Sequence, residues 1–556
     1  MKDWWQSEII YQIYPKSFRD SNGDGIGDLN GITDSLDYLT YLGITMIWIS
    51  PIFKSPMADN GYDISDYFDI APEYGTMDDF KRLLAEARKR GIKIVLDLVV
   101  NHTSDEHKWF QKALKDKHSK YRDYYIFKES KELPNNWRSV FGGSVWEKVP
   151  NEEVYYYHTF HKKQPDLNWE NPLMREEIYK MVNCWLDLGI SGFRVDAITF
   201  IKKDLSYRDI TPDGVDGLGK CTRASRNQAG IEVFLNELKE RCFVPHNAVT
   251  IAEAPGVDYS DLEQFIGDDG FFSMIFDFKA ADLDVASGSE WFKRVNWTKR
   301  TLFELLRTSQ RHIQKHGWGA PFIENHDQNR APDKYLKQDK ENNEALKALA
   351  LVYFYLYGTP FIYQGQEIGM INAHRHSIRE FDDISSVDQY YRGIAEGLSA
   401  EESLSVINYR SRDNSRVPMQ WDDSQYVGFS TVEPWLPICE QSPIRNIAAQ
   451  LEDKDSLLQF YRSMIALKKA YPALMTGKIS FLETDSDDIF AYQRYLDKDS
   501  FSVIVNLSAN RRTIRLDMEG EILLDNYQGE WRQGELDLPP YRAVLIKEKK
   551  DDRTKL

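Results

Sequence analysis

Gly192-Phe193-Arg194-Val195-Asp196-Ala197 reads as a buried strand that finishes on a carboxylate. Two other stretches do the same: Thr250-Ile251-Ala252-Glu253-Ala254-Pro255 and Ile323-Glu324-Asn325-His326-Asp327-Gln328. An apolar strand ordinarily ends in turn residues, because an ionised carboxylate at its tip is costly unless chemistry needs it there. Three such ends, two of them accompanied by Arg or His, point to one site built from converging strand tips. In a (β/α)8 barrel all strand C-termini open on one face, and that face carries the active site. Two carboxylates working across a glycosidic bond are what sugar hydrolysis requires.

Outward from these tips, short apolar, β-branched runs recur with helical stretches between them, the pattern of βα units around a parallel sheet. They lie at 9–15, 44–50, 92–100, 192–196, 248–254, 272–278, 320–325 and 359–365. Segment 77–91 carries apolar residues at helical spacing, with Gly91 as its stop. The expected fold is α/β, a (β/α)8 TIM barrel; a doubly wound sheet is the runner-up. Only the third interval is unusually long. It predicts an insert subdomain at 103–172 on the catalytic face, since a loop of that length is usually functional. Residues 1–102 and 173–480 form the expected catalytic barrel. From 481 to 556 the runs FAYQRYL, SVIVNLS and RAVLIKE alternate as strands, predicting a C-terminal antiparallel β-sandwich. Its charged end, KEKKDDRTKL, is expected to be disordered.

A formal charge of −17 over 556 residues argues against nucleic acid or an anionic membrane surface as partner. Cys184, Cys221, Cys242 and Cys439 form no CxxC pair, which predicts free thiols in a reducing compartment. The N-terminus lacks the pattern of a secretory signal, and no apolar run is long enough to span a membrane. The expectation is a cytoplasmic protein, a monomer or small homo-oligomer.

With the strands placed, the motifs fall in order: Asp97-Leu98-Val99-Val100-Asn101-His102, then Gly192–Asp196, Glu253, and Asn325-His326-Asp327. This ordered quartet resembles the α-amylase superfamily, glycoside hydrolase family thirteen, over the whole chain. The resemblance implies Asp196 as nucleophile, Glu253 as general acid/base and Asp327 as the carboxylate that binds ring hydroxyls and stabilises the transition state. Arg194 shares a strand face with Asp196 and is expected to keep it ionised. Glu253, between two alanines, is expected to have its pKa raised by apolar surroundings. His102 and His326 would hydrogen-bond the same glucose.

Closer still is the likeness to the α-glucosidase and oligo-1,6-glucosidase branch, carried by WWQSEIIYQIYPKSFRDSNGDGIGDL, DNGYDISDY, NHTSDEHKWF, QPDLNWENP, YQGQEIGM and SRDNSRVPMQWD. It implies that Asp59 and Arg412 clamp the far hydroxyls of a terminal glucose and block the pocket. Tyr62 would stack on the sugar, with Phe160 and Gln164 lining the same space; a short oligosaccharide is the implied substrate. Asp20, Asn22, Asp24, Ile26 and Asp28 place oxygen ligands at alternating positions among glycines, the logic of a calcium loop. The branch often holds a structural calcium ion there.

Departures bear on the leaving-group side. Gln328-Asn329-Arg330 stands where relatives commonly have Pro before Arg, and Glu324 where many have Asn. RAPDKY (330–335) lacks the Arg-rich motif of sucrose isomerases. Ala197 follows the nucleophile where strict α-1,6 enzymes usually carry Val, and strand alternation would aim it at the rim, leaving room for an α-1,4-linked aglycone. Lys202-Lys203 offers a phosphate partner to a trehalose-6-phosphate hydrolase, or a solvated helix start. Sucrose hydrolase, transglucosylase and an inactive binding homologue are the other readings.

Overall fold

The structure is a computed structural model that describes residues 3–286, 290–439, 445–516, 518–527, 531 and 534–549. Seven parallel strands curl into one sheet: β1 (Ile10–Ile13), β2 (Met46–Ile49), β3 (Lys93–Val99), β4 (Gly192–Asp196), β5 (Val249–Ala252), β6 (Met274–Ile275) and β7 (Phe361–Tyr363). Their order is β6-β5-β4-β3-β2-β1-β7, every pair parallel. The gap between β6 and β7 belongs to the run at 320–325, expected as a strand. It is not one. Ala320 N–H donates to Ile275 O at 3.0 Å on one side, and Thr359 N–H and Phe361 N–H donate to Gly319 O and Pro321 O at 3.0 and 2.9 Å on the other, so isolated bonds close the barrel there. Pro321 has no N–H to give, which breaks a regular ladder at its centre.

Side-chain parity sets the interior. Met46, Trp48, Val95, Val249, Ile251, Met274 and Phe361 fill the lumen as one apolar cluster. Two residues further along the same inward faces come Asp97 after Val95 and Glu253 after Ile251. On β4 that face reads Gly192, Arg194, Asp196. Gly192 has φ +153°, and a Cβ there would lie 1.8 Å from Val249 O, so β4 and β5 can meet only over a glycine. The other faces pack on helices. One is Met77–Lys89, started by the Thr76/Asp79 capping box and stopped one residue before Gly91 takes φ +72°. Another is Pro172–Leu188, capped by Asn171 and ended at Gly189.

The insert carries a helix, Lys108–Lys115, and a three-stranded antiparallel sheet of Phe127–Glu129, Val154–Tyr157 and Trp146–Lys148. Its Trp137–Arg138 pairs in parallel with Gly219–Lys220 from the excursion after β4, joining the two excursions over the barrel mouth. A second long excursion, unexpected from the spacing, follows β7 and returns to the barrel wall only at the helix Leu457–Ala470.

The C-terminal sheet comprises β8 (Lys478–Phe481), β9 (Ile489–Leu496), β10 (Asp499–Asn506), β12 (Gly520–Asp525) and β14 (Ala543–Glu548). Strands β11 (Arg512–Arg515) and β13 (Glu535–Leu538) form a ribbon over it. Ile489, Ala491, Ile504, Val544 and Ile546 pack on Leu516, Leu536 and Leu538 between these layers, giving the two-layer sandwich. The opposite face, with Phe490, Tyr492 and Phe501, joins the barrel's outer core. Residues 550–556 of the tail lie outside the described residues. No described helix is long and apolar enough to cross a membrane, and all four cysteines are free.

Candidate active site

One buried guanidinium gathers three strand tips. Arg194 Nη1 lies 2.7 Å from Asp97 Oδ1 and 2.7 Å from Asp196 Oδ1, and Nη2 lies 2.7 Å from Glu253 Oε2. The register that pairs Arg194 with Asp97 across β3 and with Ile251 across β5 brings them together. Three carboxylates around one cation leave an excess of negative charge in a dry site. Burial pushes Asp97 up to about 6 against the pull of Arg194. Burial likewise drives Asp196 well above the ordinary carboxylate range; Arg194 opposes the shift, and Glu253, Asp97 and Asp327 add to it. Arg194 therefore pulls in the expected direction but is outweighed by burial. Glu253 is not in the expected apolar surroundings: its Oε2 faces Arg194 and accepts the Ala197 N–H at 2.9 Å.

Above the cluster lies a cavity of about 350 Å³, lined among others by Asp59, Tyr62, His102, Phe160, Asp196, Glu253, Asp327 and Arg412. At one wall Arg412 Nη2 meets Asp59 Oδ1 at 3.1 Å and Asp383 Oδ1 at 2.6 Å, while its Nη1 reaches Asp327 Oδ1 at 3.3 Å. Arg416 Nη2 also holds Asp327 Oδ1, at 2.8 Å. Burial would raise Asp327, yet His326, Arg412 and Arg416 hold it well below the usual carboxylate range. Asp327 is thus the anion of the set.

Gln164, Arg194 and His326 stand behind this lining. Gln164 Nε2 donates to Asp59 Oδ2 at 3.0 Å, steadying the wall. His326 is fully buried, with Nδ1 2.8 Å from Gln12 Nε2 and Nε2 2.6 Å from the Tyr62 hydroxyl, which itself donates to Asp97 at 2.9 Å. Phe160 packs edge-on against His102 and Phe200. Sequence reasoning did not single out Asp97, Asp383 or Arg416. Asp97 had a signal, an acid on the inward parity of an apolar strand; the other two lie on the excursion after β7, where periodicity is silent.

Four expectations near the site need correcting. Ala197 does not continue the strand: it has φ +43° and ψ +35° and begins a short 3-10 helix. It still lines the cavity, but alternation does not aim it. Lys203 is no solvated helix start, since it is buried and paired to Asp166 at 2.8 Å, and Lys202 is paired to Glu170. Neither offers a free charge to a phosphate. Glu324 is buried on Arg330 at 3.2 Å, and Asn329 is fully buried, so neither reaches the leaving-group side.

The Asp20–Asp28 loop lies away from the cavity. Asp20 accepts the N–H groups of Asn22, Gly23 and Gly25 and the Ser430 hydroxyl. Asp28 accepts from Ser21 and caps the helix Leu29–Asp34 through Gly31 N–H. The oxygen donors have the hardness calcium prefers. Among the described residues, however, no three acids, histidines or cysteines are grouped to hold a metal, and Asp20 and Asp28 spend their oxygens on protein donors.

Residues 12–477 match the alpha-amylase catalytic domain. The chain belongs to the α-amylase family of glycoside hydrolases, the family its four motifs resemble. It is similar to the oligo-1,6-glucosidase of Parageobacillus thermoglucosidasius, 41% identical over 98% of this chain and 99% of that one. A trehalose-6-phosphate hydrolase of Bacillus subtilis (strain 168) is 37% identical over 98% of each. Among solved structures, the isomaltulose synthase of Protaminobacter rubrum superposes with a TM-score of 0.95 at 36% identity, over 99% of this chain and all of that one.

Burial brings the His326 ring down to about 3, with Asp327 opposing and three arginines assisting. A free histidine titrates near 6.5. The unfolded chain therefore binds the extra proton as pH falls, so the contribution of His326 is full above about pH 6.5 and lost towards pH 3. The stability advantage of wild type over His326→Asn should shrink by about 2 kcal/mol between pH 7 and pH 5. Denaturant unfolding of both proteins at each pH measures it; a constant gap would show that the ring titrates in the fold as it does in the unfolded chain.

Proposed function

We propose that the protein is an exo-acting, retaining α-glucosidase that releases glucose from the non-reducing end of short α-glucosides. The observation that carries this reading is Arg194 holding Asp196 and Glu253 side by side beneath a pocket whose far wall is the Asp59–Arg412 pair. Asp196 attacks the anomeric carbon, and Glu253 gives its proton to the departing oxygen. Glu253 then takes a proton from the water that breaks the glucosyl ester. A shared guanidinium keeps the two carboxyl groups close, as the retaining route requires at about 5–5.5 Å. Asp327, held ionised, faces the positive charge that develops on the sugar ring. A pocket stopped by the Asp59–Arg412 pair supports an exo action on one terminal glucose.

Asp196→Ala and Glu253→Gln should each cut turnover on maltose or isomaltose at least about a thousandfold, as removal of one member of a catalytic unit does. Wild type should release glucose singly. Wild-type rates in either variant, or a rapid viscosity drop of starch with little glucose, would overturn the reading.

Linkage preference turns on Ala197, whose methyl lines the pocket beside Glu253. The small side chain supports acceptance of α-1,4 as well as α-1,6 links. Ala197→Val adds two methyl groups and also places a β-branched residue at positive φ, a strain of about 1–2 kcal/mol. We expect a lower melting temperature together with an approximately tenfold fall in the maltose-to-isomaltose ratio of kcat/KM. An unchanged ratio with the melting temperature lowered would place linkage selection elsewhere.

The loop Asp20–Asp28 is proposed to take a structural calcium ion, with Asp20 and Asp28 exchanging protein donors for it. An ion bound only by the fold stabilises it. Melting should therefore be higher in calcium than in chelator, with turnover at low temperature retained; identical melting would leave the loop as a turn. A cytoplasmic location and a monomer or small homo-oligomer, without membrane or nucleic-acid partners, complete the proposal. The free thiols support the location, and the charge of −17 supports the absence of nucleic-acid and anionic-membrane partners.

A further inference from the structure

Charge is segregated along the pocket. Its inner end carries Asp59, Asp196, Glu253 and Asp327, with Arg412 lining the wall among them. A second group of its lining residues, Arg138, Lys220, Arg226 and Arg392, is cationic, with Glu290 as the acid beside them. Most of these cations are spoken for. Arg138 is clasped by Asp213 and Asp216, Arg392 pairs with Glu290 at 2.6 Å and Asp388 at 3.5 Å, and Lys220 lies 3.6 Å from Glu290.

Arg226 is different. Among the described residues no carboxylate lies within ion-pair distance of its guanidinium, which is partly buried, and no hydrogen bond leaves it. Burial pulls it below its ordinary value, with only Cys221 and Asp258 opposing from farther off. Its side chain lies over the backbone of Gly256, where a Cβ would come within 2.4 Å of Arg226 Nε. Gly256 is three residues beyond Glu253, the group that protonates the departing oxygen in the proposed mechanism. What lies past that oxygen is the leaving group. A second cavity of about 780 Å³ shares Arg226, Pro255 and Trp291 with the first, so there is room for it. A partly buried guanidinium without an anion has lost part of its hydration and rewards an anionic ligand with charge-assisted bonds.

We propose that the aglycone of the natural substrate carries an anionic group, a phosphate or a carboxylate, that docks on this cationic part of the lining with Arg226 as its chief partner. The inference rests on the α-glucosidase reading and narrows its substrate class. The lysines at 202–203 have no part in it.

The test compares neutral and anionic substrates that share a glucosyl donor: maltose with maltobionate, whose aglycone is a carboxylate, and trehalose with trehalose-6-phosphate. At low salt, wild type should show kcat/KM at least about tenfold higher for the anionic member of one pair, the value of a single charge-assisted hydrogen bond. The pair that responds tells carboxylate from phosphate. Arg226→Gln should bring that ratio to near one. Because both substrates meet the same enzyme preparation, partial misfolding cancels. Ratios at or below one in wild type for both pairs would overturn the proposal while glucose release from maltose left the hydrolase reading intact. A preference that survives Arg226→Gln would overturn the assignment to Arg226. No glucose from any of the four, nor from isomaltose, would overturn the underlying reading itself.

Discussion

The site depends on one interaction, the buried Arg194 guanidinium shared by Asp97, Asp196 and Glu253. Each carboxylate ends or nearly ends a different strand, and none would be tolerable at the top of an apolar lumen without a partner. Three carboxylates on one guanidinium also fix three strands to one another where the sheet has run out of backbone bonds. The residue that makes the chemistry electrostatically possible is therefore also the one that registers β3, β4 and β5 at their tips. Loss of Arg194 would uncover three buried charges together, so its chemical and structural roles cannot be separated by deletion.

Around that hub the protein builds a pocket from parts distant in sequence. Asp59 follows β2, Gln164 comes from the insert, and Arg412, Arg416 and Asp383 come from the excursion after β7. The rigid element is the barrel; the variable ones are loops laid over its C-terminal rim. Arg412 links Asp59, Asp327 and Asp383, so the wall that stops the pocket is tied to the carboxylate that stays ionised. On the proposed reading, the wall that would hold the sugar and the carboxylate that would face its developing charge share one side chain.

The barrel was legible because strand parity and strand-end acids are local signals. Seven of the eight expected runs hold the strands of the barrel sheet, and the acids at 196, 253 and 327 share one cavity. The run at 320–325 was misjudged since its apolar content looked like a strand while Pro321 denied it the ladder. Ala197 was misjudged for a related reason: composition gives no warning that the chain turns to positive φ one residue after Asp196. Apolar neighbours in sequence placed Glu253 among alanines, yet the groups that touch it, Arg194 and the Ala197 amide, come from β4 and its end. Lys203 looked solvent-facing until Asp166, thirty-seven positions earlier, buried it. Such long-range partners leave no periodicity to read. Asp383 and Arg416 escaped for that reason, although the motif containing Arg412 was plain.

The charges of the inner pocket carry a last consequence. Six acids, Asp59, Asp97, Asp196, Glu253, Asp327 and Asp383, stand against Arg194, Arg412 and Arg416 in two ion-paired sets, one on Arg194 and one on the Arg412–Arg416 pair. In a low-dielectric site so short of cations, burial outweighs pairing at Asp97 and Asp196 and raises both, while His326 and the arginines hold Asp327 down. The same deficit favours a sugar ring passing through positive charge. Glycosidic cleavage needs both a held proton and a waiting anion. On the proposed reading the two ion-paired sets divide those needs, Arg194 on one side and the Arg412–Arg416 pair on the other.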